Sequence, residues 1–104
     1  MDTSTKINFK VGLKNIKGKV LKDNEKNVTL EDISINALLG NYKDENIDGN
    51  EKLKRFNLAT RINEANGELE LENDDVTLIK DMIAKGYSTM VTARAWQILD
   101  PHKK

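Results

Sequence analysis

Apolar and polar residues alternate along Lys6-Ile7-Asn8-Phe9-Lys10-Val11-Gly12-Leu13, so that Ile7, Phe9, Val11 and Leu13 share one side. A period of two is the mark of a half-buried strand. Residues Met1 to Thr5 ahead of it are polar and are expected to fray, as are residues 100–104 at the other end. A second extended stretch, Gly18 to Leu21, runs into the turn-forming cluster Asp23-Asn24-Glu25-Lys26-Asn27. Val28 to Leu30 can pair back across it, which predicts a β-hairpin around 23–27.

The period then becomes helical. Thr29 can cap a helix carrying Leu30, Ile33, Ala37 and Leu38, with Gly40 as its stop. After a polar loop, Asp48-Gly49-Asn50-Glu51 opens a second helix with Leu53, Phe56, Ala59, Ile62 and Ala65 on its predicted inward face, ending at Gly67. Glu68-Leu69-Glu70-Leu71-Glu72 alternates again and reads as a short strand. A cap near Asn73 starts a third helix, with Val76, Ile79, Met82 and Ile83 inward and Gly86 at its end. Ser88 caps a fourth, bearing Val91, Ala95, Ile98 and Leu99, and Asp100-Pro101 stops it. The expected fold is α+β in one domain, residues 1–104: an N-terminal β-hairpin, with a third short strand near 68–72, packed on about four short α-helices. Leu53, Phe56, Ile62, Ile79 and Ile98 are the expected core.

Charge sharpens this picture. The formal net charge is zero, whereas a nucleic-acid binder gains most from a basic excess. Nucleic acid is therefore a weak partner candidate, and the last two helices do not change that. If they formed a helix-turn-helix, the reading helix would offer only Arg94 as a base. The chain has no cysteine, so disulfides, thiol chemistry and Cys-ligated zinc are excluded. No run of about 18 apolar residues or signal-like segment occurs, so no membrane span, membrane partner or secretion is expected. A cytoplasmic location fits.

Catalytic motifs are missing. The single histidine, His102, lies in a terminal Pro-His-Lys-Lys run, where nothing would hold a general base in place. Asp48, Asn50 and Glu51 match only a fragment of a calcium loop, and the acid pairs Asp74–Asp75 and Asp44–Glu45 read as helix-start charges. No enzymatic activity, cofactor or metal is expected.

Charges are also segregated. Lysines 6, 10, 14, 17, 19 and 22 lie in the first 22 residues, and six acids, Glu64 to Asp75, lie together without a base. Lys10 and Lys19 on one side and Glu68, Glu70 and Glu72 on the other suit side-by-side strands, within one chain or between subunits. Tyr87, Met90, Arg94 and Trp96 are of the types enriched at interface centres. A homo-oligomer, most simply a dimer, or a separate protein partner is the expectation these features carry.

One run of motifs has a wider echo. Val28-Thr29-Leu30-Glu31-Asp32-Ile33 through Asn36-Ala37-Leu38-Leu39, then Glu51-Lys52-Leu53-Lys54-Arg55-Phe56 with Leu58-Ala59, resembles a family of small proteins encoded in bacteriophage and prophage genomes. Leu69-Glu70-Leu71, Ile79-Lys80, Lys85-Gly86-Tyr87-Ser88 and Arg94-Ala95-Trp96-Gln97-Ile98-Leu99 extend the likeness over residues 16–99. The resemblance implies a viral origin, a phage or host protein as partner, and a location in the cytoplasm of a bacterial host or on the virion; it carries no catalytic signature. Asn and Lys supply 26 of the 104 residues, which suits a phage of a low-GC bacterium. The resulting expectation is a non-enzymatic protein that works by protein–protein contact, in particle assembly or on a host factor. Sequestration of a small anion by hairpin lysines and helix N-termini is the alternative, and a nucleic-acid-associated regulator is a weaker one.

Overall fold

The computed structural model describes residues 4–100; His102 and its neighbours lie outside them. The order of elements is β1 (Ser4–Asn8), β2 (Lys22–Asp23), β3 (Lys26–Asn27), α1 (Leu30–Leu39), α2 (Gly49–Ala65), β4 (Glu68–Glu72), α3 (Asn73–Gly86) and α4 (Thr89–Leu99). The α+β layout follows the hydrophobic periodicity, and β1 begins at Ser4, inside the segment expected to fray.

β1 pairs antiparallel with β4, with Lys6 opposite Glu70 and Ile7 opposite Leu69. The basic and acidic strands thus meet inside one chain. Their shared inner face carries Ile7 and Leu71, and their outer face carries Lys6, Asn8, Glu68, Glu70 and Glu72, all exposed. The hairpin β2–β3 stands as a separate two-stranded sheet. Its two-residue turn, Asn24-Glu25, has both φ angles positive, the backbone that matches the twist of tightly connected strands. Between these sheets the chain leaves strand geometry at Phe9. Phe9 and Leu13 stay buried while Val11 turns out to solvent, because Phe9 and Val11 give their carbonyls to the amides of Glu31 and Leu30, the start of α1.

Side-chain caps start three of the helices where the sequence places them: Thr29 Oγ1 accepts from Asp32 N, Asp48 Oδ1 from Glu51 N and Ser88 Oγ from Val91 N. The cap expected near Asn73 does not form: α3 starts after Glu72 without a side-chain cap. Gly40 ends α1 in an extended, not left-handed, conformation, so its value is space. A Cβ there would sit 2.9 Å from the Tyr42 hydroxyl, and one at Gly86 would sit 3.1 Å from it. Tyr42 uses the slot to donate to Ala37 O at 2.6 Å, satisfying a carbonyl that the end of α1 leaves open.

One buried cluster, fed by β1, β4 and all four helices, forms the core. Ile62 and Ile79 belong to it, and Ile98 packs against it half-buried. Leu53 and Phe56 do not: each is 56% exposed. The inward face of α2 is instead Arg55, Leu58, Ala59 and Ile62, rotated away from the predicted stripe.

Ser34 of α1 is fully buried and its hydroxyl has no hydrogen-bond partner among the described residues. Ser34→Ala should therefore raise stability by about 1 kcal/mol, by removing an unsatisfied polar group and improving helix propensity. A urea midpoint lower than wild type would show that the hydroxyl is bonded after all.

Candidate functional site

The interface residues predicted from sequence separate into three environments. Arg94 and Trp96 are committed within the chain. Arg94 donates to Asn15 O at 3.0 Å, tying the 14–19 turn to α4. The Trp96 indole donates to Lys80 O at 3.1 Å, and the Lys80 ammonium lies 4.4 Å from its ring centroid while pairing with Asp100. Trp96 thus locks α4 onto α3.

Tyr87 and Met90 are brought together with the hairpin. They line a cleft of about 530 Å³ with Leu21, Val28, Ile33 and Val91. The rim is charge-balanced, Lys22 and Lys26 against Asp23 and Asp32. The charged strand residues form a third environment. Glu70 faces Lys6 and accepts from Ser4 Oγ at 3.0 Å. Lys10 is not part of that ladder: its ammonium is 3.0 Å from Glu31 Oε1. Lys19 is exposed in the 14–19 turn, its carbonyl bonded to Asn15 N.

The most concentrated polar chemistry lies elsewhere, around Arg55. The residue is 6% exposed, and its guanidinium forks onto Glu45 at 2.7 and 2.9 Å, with Nε on Glu51 at 3.0 Å. Lys85 of α3 adds a contact to Glu45 at 3.1 Å and one to Asp44 at 3.4 Å. The Arg55 hydrogen bonds, aided by Lys85 and opposed by burial, hold the Glu45 carboxyl down at about 2. The same pairing raises Arg55 and Lys85, and burial raises the Tyr42 phenol. Each charge here is neutralised by its neighbours, so the cluster is a clamp: it pins loop 40–48 to α2 and α3. Glu51 is held by Arg55 and the Asp48 carboxylate by the Glu51 amide, so neither is free for a cation.

The feature that sequence reading misplaced is the outward face of α2. Leu53 and Phe56 stand one turn apart on it, with Lys52 and Lys54 beside them, both exposed and unpaired among the described residues. A phenylalanine over half exposed on a helix already anchored by its opposite side is an unusual expense of apolar surface. The molecule is, by fold and surface, a small α+β domain with a lysine-flanked apolar helix face and a side cleft. No family model, curated protein or solved structure matches the chain.

Proposed function

We propose that this is a small phage-encoded protein that acts without catalysis, by gripping another protein through the outward face of α2, in particle assembly or on a host factor. The exposed Leu53–Phe56 pair carries the reading: anchors of this type, one helical turn apart, fit a groove or a facing helix. The flanking lysines favour an acidic partner. A second copy docked by the same face about a two-fold axis would set Lys52 and Lys54 against their own counterparts, which opposes that arrangement. Anion sequestration finds less support, since the lysines on the cleft rim are matched by Asp23 and Asp32. A DNA reader finds less still, with Arg94 spent on Asn15.

Phe56→Glu provides the test. The fold should survive, with a urea midpoint near wild type, while the protein partner that wild type retains from phage-infected cells is bound at least about tenfold more weakly, as for an interface anchor. Undiminished retention by Phe56→Glu would move the contact off α2. Sedimentation at micromolar concentration separates a self-partner: a salt-insensitive dimer abolished by Phe56→Glu would assign the face to a second copy.

A further inference from the structure

The turn at residues 15–19 displays an isoleucine to solvent more fully than any other large hydrophobic side chain among the described residues. Ile16 is 85% exposed, yet the turn is not loose. Asn15 Oδ1 accepts from the amides of both Lys17 and Lys19, at 2.9 and 3.1 Å. Asn15 N donates to Lys19 O, Gly18 N donates to Asn15 O, and Arg94 secures the same carbonyl from α4. Gly18 takes the positive φ that the turn requires, +86°. The chain spends one carboxamide, one glycine and one guanidinium on holding an aliphatic side chain outward.

Around that tip are Lys14, Lys17 and Lys19, all exposed and without an ion pair among the described residues. A projecting aliphatic residue ringed by unpaired lysines is suited to an anionic bilayer surface. The side chain enters the headgroup boundary and the ammonium groups meet the phosphates. A nucleic-acid reader would present aromatic or hydrogen-bonding side chains. This tip has no aromatic side chain, and the Asn15 oxygen is consumed within the turn. We infer that the 14–19 turn is a peripheral contact for anionic lipid, separate from the α2 face. The expectation of no membrane partner rested on the absence of a spanning segment, and no helix among the described residues is long and apolar enough to cross. A surface contact needs no such helix.

The experiment is co-sedimentation of the full chain with vesicles of equal parts phosphatidylglycerol and phosphatidylcholine, against pure phosphatidylcholine, at low and high salt. Wild type should bind the anionic vesicles at low salt and be released as salt rises. The triple variant Lys14→Gln/Lys17→Gln/Lys19→Gln should bind about a hundredfold more weakly, at roughly a factor of five per lysine. Ile16→Ser, which leaves every charge in place, should lose about tenfold. Absence of binding to anionic vesicles at low salt overturns the inference. So does full binding by Ile16→Ser, since the lysines would then act as a generic polyanion site, as would equal affinity for a single-stranded oligonucleotide.

Discussion

Phe9→Ala is expected to lower folding stability by about 3–5 kcal/mol, while Phe56→Ala should cost less than about 1 kcal/mol. The two phenylalanines look alike in the sequence, each in an apolar-patterned segment. In the fold, Phe9 is 0% exposed and Phe56 is 56% exposed. Phe9 also sits where three parts of the chain meet, its amide bonded to Gly67 O and its carbonyl to Glu31 N. The cavity left by truncation would therefore lie beneath backbone that cannot easily collapse into it, and the upper end of the range applies. Urea unfolding of both variants measures the contrast. Equal shifts would mean either that Phe56 is covered in solution, as in a stable dimer, or that Phe9 is not a core residue. Sedimentation distinguishes these outcomes.

The contrast also shows where hydrophobic pattern stops being informative. Thr29, Asp48 and Ser88 could be read as helix starts because capping is local chemistry: a side-chain oxygen meets an amide three residues on. The inward stripe of α3, Val76, Ile79, Met82 and Ile83, was legible because no other face of that helix is apolar. α2 has two candidate stripes, Leu53–Phe56 and Leu58–Ala59–Ile62, and hydrophobicity alone joins them. The choice is made by Arg55, which turns inward because Glu45, in a loop ten residues upstream, neutralises it. A pattern that scores arginine as outward cannot see that long-range pairing. The partner of Trp96 is invisible to pattern for a related reason: it is the Lys80 carbonyl, sixteen residues away. Charge foreshadowed the strand pairing only in part: of the lysines in the basic segment, Lys6 alone enters the ladder, opposite Glu70, while Lys10 pairs with Glu31.

The Arg55 clamp gives the second large effect. Arg55→Ala leaves the carboxylates of Glu45 and Glu51 without their principal counter-charge, at a site where the Glu45 side chain is 12% exposed. Breaking one side of such a buried pair costs about 3–5 kcal/mol. Arg55→Met should be milder, because it refills the volume of the stem. The clamp also sets a pH dependence whose sign is fixed. Glu45 is held at about 2 in the folded chain, against an ordinary 4.5. Between those values the unfolded chain binds the proton and the folded chain does not, so stability falls as pH falls. The contribution is fully present above about 4.5 and is lost as the pH drops toward about 2. Glu45→Gln removes the titrating group and keeps its shape. At neutral pH it should be clearly less stable than wild type, and the gap should close as the solution is acidified through that window. Thermal unfolding of both proteins across the range measures the gap directly. A difference that stays constant with pH would mean that Glu45 is not ionised against Arg55, and loop 40–48 would then need another anchor.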